Sequence, residues 1–101
     1  MGVYKITYSN AVANDLKSLA APERSQILDE IEVQLAHEPN RKTRNRKILV
    51  GLVPPWEHVP PVWELRINEY RVFYDIDDKA KHVMVRAVRH KLPHKTTEDI
   101  L

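Results

Sequence analysis

The 101-residue chain contains no cysteine. That excludes a disulfide framework, a thiolate nucleophile and a Cys-ligated zinc site. It also has no apolar run near the ~18 residues needed to cross a bilayer, and Met1-Gly2-Val3-Tyr4-Lys5 lacks the apolar stretch of a secretory signal. A cytoplasmic protein is expected. Repeats and low-complexity segments are missing as well. What is present fits one globular domain over residues 1–101. Hydrophobic residues make up 43% of the chain, too many for a disordered segment, and a chain of this length buries enough surface for one core.

The net charge is only +2, but it is unevenly spread. Residues 12–38 carry Asp15, Glu23, Asp29, Glu30, Glu32 and Glu38 against Lys17 and Arg24. Residues 41–47 read Arg-Lys-Thr-Arg-Asn-Arg-Lys, with five positive charges and no negative one. Arg66, Arg71, Arg86, Arg89, Lys91 and Lys95 follow. A concentrated positive field attracts phosphate even at small net charge.

Alternation over residues 3–8 predicts a short strand. Ser9-Asn10 can cap a helix, in which Val12, Leu16 and Leu19 recur at helical spacing. Ala21-Pro22 breaks that run and opens a second helix, because proline is favourable in a first turn. Ile27, Ile31 and Leu35 form its apolar stripe, and Pro39 ends it. The short link makes the two helices an antiparallel hairpin. A strand near 47–50 is followed by a stiff loop, since Pro54, Pro55, Pro60 and Pro61 cannot sit in a sheet interior. Loops this long are more often functional or mobile than neutral. In it, Trp56 is either a plug over the core or a partner contact. The remainder predicts three strands. Trp63, Leu65 and Ile67 alternate with Glu64 and Arg66. Tyr70, Val72, Tyr74 and Ile76 alternate with Arg71 and Phe73. Val83, Val85 and Ala87 alternate with Met84, Arg86 and Val88. Tyr70 and Tyr74 are read as packing residues. Asn68-Glu69 is a two-residue turn, and Thr96 or Thr97 can cap a short final helix. The order β-α-α-β-β-β-β is an α+β signature.

The block Val62-Trp63-Glu64-Leu65-Arg66-Ile67-Asn68-Glu69-Tyr70-Arg71-Val72-Phe73-Tyr74-Asp75-Ile76 resembles the central hairpin of the RelE/ParE toxin superfamily. Its Leu-Arg pair, tight turn and Tyr-Arg-apolar-apolar-Tyr run carry the likeness. The helical hairpin, the stretch Arg44-Asn45-Arg46-Lys47 and the ending Ala87-Val88-Arg89-His90-Lys91 support it by order, over roughly residues 3 to 92. The sequence departs from the family pattern at Glu69 and Arg89, where glycine is usual, in the Pro-rich 51–61 segment, and in having no tyrosine after Tyr74.

The resemblance implies a RelE-like fold: an N-terminal strand, an antiparallel helical hairpin and a curled, mainly antiparallel sheet. It implies the toxin of a type II toxin–antitoxin system that cuts messenger RNA on the ribosome by 2′-hydroxyl attack on the adjacent phosphate, with no cofactor or metal. That reaction needs a base, an acid and positive charge on the phosphorane. The resemblance gives Arg71 the phosphate role, for which a bidentate, always charged group is suited. Lys91 falls where a second basic catalytic group sits. Glu64 is a candidate general base, and His90, with a side chain that ordinarily titrates near neutrality, a candidate acid or base. His94 is a further alternative. Arg41, Lys42, Arg44, Arg46 and Lys47 are expected to grip RNA backbone, and Arg66 and Arg89 to join the phosphate-binding face. The plainer reading of each is a solvated surface group. Expected partners are a cognate antitoxin protein, the ribosome and messenger RNA, with operator DNA only through the antitoxin complex and no membrane. Two other functions fit the fold: a non-catalytic ParE-like inhibitor of DNA gyrase, and a degenerate toxin that serves only as a binding module in an antitoxin–DNA complex.

Overall fold

The computed structural model describes residues 3–101. Strand β1 (Lys5–Tyr8) leads into helices α1 (Asn10–Lys17) and α2 (Ala21–Leu35). Strands β2 (Arg46–Ile48), β3 (Trp63–Ile67), β4 (Tyr70–Asp77) and β5 (His82–His90) follow, and α3 (Thr97–Ile100) closes the chain. The sheet order is β1-β5-β4-β3-β2. Only the β1–β5 pair is parallel, and the other three are antiparallel. The α+β architecture expected from the sequence is the one observed.

The helices cover one face of the sheet. Val12, Ile27, Ile31 and Leu35 meet Trp63, Leu65, Val72, Tyr74, Val83, Val85 and Val88 in the main core. Tyr74 is fully buried, stacks on Trp63 and donates its hydroxyl hydrogen to the Pro39 carbonyl (2.8 Å). A buried phenol keeps its O–H only if paired, and burial raises the Tyr74 pKa. Tyr70 is half-buried, stacks on His90 and bonds Glu23 (2.8 Å).

The opposite face carries a smaller cluster. Val62, Phe73 and Ala87 are buried there under Leu49, Trp56, Ile100 and Leu101. Trp56 is thus a plug: it packs on Phe73 at 5.3 Å and lies under the Arg89 guanidinium at 5.1 Å. The 51–61 segment and α3 fold back as a strap over this face.

Of three local expectations, two change and one holds. Ser9 stands at the N-cap of α1, but its hydroxyl donates to the Arg86 carbonyl (3.0 Å) and no side chain caps that helix. With the Ser9 amide on Val85 O and the Asp15 carboxylate on the Val88 amide (3.0 Å), it finishes the edge of β5 beyond the reach of β1. Secondly, the cap expected at Thr96 or Thr97 is present: Thr96 forms a full capping box with Asp99 at the start of α3. Thirdly, strict alternation fails in β5. Phe73 pairs with Ala87 but Tyr74 pairs with Val85, so Arg86 is an extra residue. A bulge of this kind resets the two-residue period. Val88 therefore joins Val83 and Val85 in the main core, while Ala87 turns to the opposite cluster. Arg86 is held there by the Asp75 carboxylate (2.8 Å).

Candidate functional site

On the face away from the helices, cross-strand pairing sets charged residues side by side. Lys47 pairs with Glu64, Arg66 with Arg71, and Arg71 with Arg89. Paired residues project to the same side of a sheet. Around them lies a concave pocket of about 210 Å³. Its walls include Arg44, Lys47, Glu64, Arg66, Arg71 and Lys91, completed by Asn45 and Thr97.

Glu64 is the floor. It is only 3% exposed, and an ionised carboxylate so deep needs partners. One oxygen accepts from the Thr97 hydroxyl (2.8 Å) and the other faces the Lys47 ammonium (3.5 Å). Arg71 is 9% exposed. Its Nη1 donates to the carbonyls of Asn68 (3.0 Å) and Tyr70 (2.9 Å), anchoring the guanidinium to the β3–β4 turn. Among the described residues no hydrogen bond is made by its Nη2 or Nε, which leaves one edge of the fork for a ligand. Burial lowers the Arg71 pKa, with the Glu64 carboxylate opposing and the Arg66 charge adding to the shift. An arginine so shifted still carries its charge at neutral pH. The pocket is thus a cationic ring, anchored at Arg71, over one buried carboxylate, suited to an oxyanion that gains negative charge. Among the described residues no group of three or more His, Cys, Asp or Glu side chains stands together to hold a metal ion.

The candidates from the sequence divide. Arg71, Glu64 and Lys91 come together in the pocket with Arg44, Lys47 and Arg66. His90 does not: it stacks on Tyr70 at 4.9 Å and faces Glu69 at 3.3 Å on the helix side of the sheet. The bulge is the reason. Unbroken alternation from Val83 would turn His90 outward and Lys91 inward, and the extra residue reverses them. Arg89 is on the pocket's side of the sheet but is already engaged by Asp15 (2.9 Å), by the Ile100 carbonyl (3.1 Å) and by the Trp56 ring.

Arg46, expected to grip RNA, is 8% exposed and turned inward. Its Nη1 donates to the carbonyls of Gln34 (2.6 Å) and Glu38 (2.7 Å), groups left without helical partners where α2 ends. Arg41 pairs with Glu38 on the surface (3.2 Å), and Lys42 is exposed outside the pocket. His94 is exposed in the connection to α3. Arg46→Ala is expected to lower stability by about 2–4 kcal/mol, because two charge-assisted bonds vanish. Arg41→Ala with Lys42→Ala should leave the urea midpoint where it was. An unmoved midpoint in Arg46→Ala would show that water replaces the guanidinium.

Thr97 was not singled out for the site by sequence reasoning. Its only signal there is a capping stretch; its contact with Glu64, 33 residues away, exists because α3 folds back across the sheet.

The family model described as "ParE toxin of type II toxin-antitoxin system, parDE" matches residues 6–92. No curated protein matches the chain significantly in sequence. Solved structures match in fold. A chain of the RelBE2 toxin–antitoxin complex from Mycobacterium tuberculosis aligns over 90% of this chain and 94% of its own, with 23% identity and a TM-score of 0.71. A chain of the archaeal RelE–RelB complex from Pyrococcus horikoshii aligns over 89% and 97%, with 20% identity and a TM-score of 0.67. The isolated E. coli RelE toxin aligns over 91% and 88%, with 17% identity and a TM-score of 0.63.

Proposed function

Since the chain belongs to the ParE toxin family, within the RelE/ParE superfamily of type II toxin–antitoxin toxins, we propose that it is a ribosome-dependent endoribonuclease that stops translation by cutting messenger RNA. The observation that carries this reading is the buried Glu64 at the centre of Arg44, Lys47, Arg66, Arg71 and Lys91. A scissile phosphate seated in the ring puts the open edge of Arg71 against its non-bridging oxygens. Glu64 takes the proton of the attacking ribose 2′-hydroxyl. The 2′-oxygen bonds to phosphorus, the 5′-oxygen leaves, and the Lys91 ammonium supplies its proton. The products are a 2′,3′-cyclic phosphate and a free 5′-hydroxyl. The oxygens gain charge before the P–O bond breaks, so the cations act most strongly in the transition state. Thr97 and Lys47 hold the Glu64 carboxylate in place.

An antitoxin protein is the expected inhibitor. Chains from toxin–antitoxin complexes share the fold, and an acidic segment laid over this ring would neutralise it.

The family match itself favours a second reading. ParE-type members poison DNA gyrase without cutting RNA, and the chain has no tyrosine after Tyr74. Primer extension on cellular messages after induction separates the two. New ends inside translated frames support cutting. Growth arrest with DNA-damage signalling and intact messages supports the gyrase reading.

A further inference from the structure

We infer that the groove between α2 and the β3–β4 turn is a base-reading subsite for single-stranded RNA, taking a nucleotide beside the phosphate held at Arg71. The inference rests on the ribonuclease reading above and extends it to sequence preference.

The groove has a volume of about 670 Å³, against about 210 Å³ for the pocket. Arg44, Asn45 and Arg66 line both and form their shared wall. The small pocket has room for little more than the reacting phosphate, so a continuous strand has to leave it. Glu64 closes the floor, and α3, tied down through Thr97, bounds another side. The shared wall carries two exposed arginines and leads into the larger groove.

The chemistry changes across that wall. Gln26, Glu30 and Gln34 are spaced by four along α2 and share one face of it, opposite Asn68 at the turn. A carboxylate among carboxamides does not suit a phosphate. It suits a base. A carboxamide pairs bidentately with the edge of adenine, and a carboxylate accepts from the amino group of cytosine. Unpaired RNA presents these edges to side chains. The only bond among the three α2 side chains, Gln34 to Glu30, is long at 3.5 Å and readily exchanged for one to a ligand. The arginines of the wall therefore take the next phosphate, and the groove beyond takes its base.

The test is the triple variant Gln26→Ala, Glu30→Ala, Gln34→Ala. None of the three side chains belongs to the pocket, and alanine is a good helix former, so α2 is kept. The ends of cut messages are mapped across the transcriptome for the induced parent and variant, and antitoxin binding is measured alongside. The parent is expected to prefer one base about tenfold or more at a position flanking the cut. The variant should still cut, with that preference reduced to about twofold or less and the other positions unchanged. Identical base frequencies in the two proteins would overturn the inference and leave the ribonuclease reading standing. So would cutting by the parent with no flanking preference. Unchanged cut sites with weakened antitoxin binding would assign the groove to the antitoxin instead. A parent that cuts no message sinks the ribonuclease reading itself, and the subsite with it.

Discussion

Arg71→Ala is expected to abolish message cutting and growth arrest, with a loss of about 10²–10³-fold or more, the size seen when a fixed donor to a developing oxyanion is removed. Two features of the site lead there. The guanidinium is held by two turn carbonyls, so it is organised before the substrate arrives. It is also nearly buried, where a charge acts through a lower dielectric than at the surface. The same anchoring means that alanine leaves the carbonyls of Asn68 and Tyr70 without their donor and costs some stability. Arg71→Lys is the companion variant: it keeps the charge but loses the planar fork, and should recover folding more than activity. Antitoxin binding, read by co-purification, reports that each variant is folded. Full toxicity in a well-expressed Arg71→Ala protein would remove the residue from the mechanism.

The second large effect concerns the tail. Deleting residues 96–101 withdraws Ile100 and Leu101 from the cluster around Phe73 and Ala87, two residues that are essentially unexposed. The Ile100 carbonyl that accepts from Arg89 goes too. Opening one large apolar side chain to water costs about 1.5–3 kcal/mol, so the deletion is expected to cost about 2–4 kcal/mol. In a domain of this size that lowers Tm by about 10–20 °C, measurable by calorimetry in an Arg71→Ala background that permits expression. The deletion also frees Glu64 from Thr97. Restoring a tail with Thr97→Val should return most of the Tm without returning the carboxylate's donor. A Tm within about 2 °C of the full chain would mean that the 51–61 segment alone covers Phe73.

The fold was largely legible in the sequence because its signals are local and periodic. The Ile27, Ile31 and Leu35 stripe, the Pro22 and Pro39 boundaries and the Trp63–Ile76 hairpin each follow from side-chain spacing. The site was legible where it rides on that hairpin: Glu64, Arg66 and Arg71 inherit their common side from the pleat. Two things lay beyond sequence reasoning. One was which arginines are already used. Arg46 and Arg89 look like any surface cation until the ends of α2 and α3 are seen to present carbonyls to them. The other was the phase of β5. A bulge leaves no mark in an alternating string; it shows only in the pairing of Phe73 with Ala87 and Tyr74 with Val85, and it moved His90 out of the pocket's company.

The extra residue at Arg86 bears on how relatives should be compared. A homologous strand one residue shorter would present the same outward row, with its counterpart of Lys91 one column earlier. A gapless alignment would set that lysine against His90 and report a basic-to-histidine exchange where no exchange in space exists. Correspondence at the end of this strand has to be counted from the Phe73–Ala87 pair rather than from the strand's first residue, and a gap belongs at position 86.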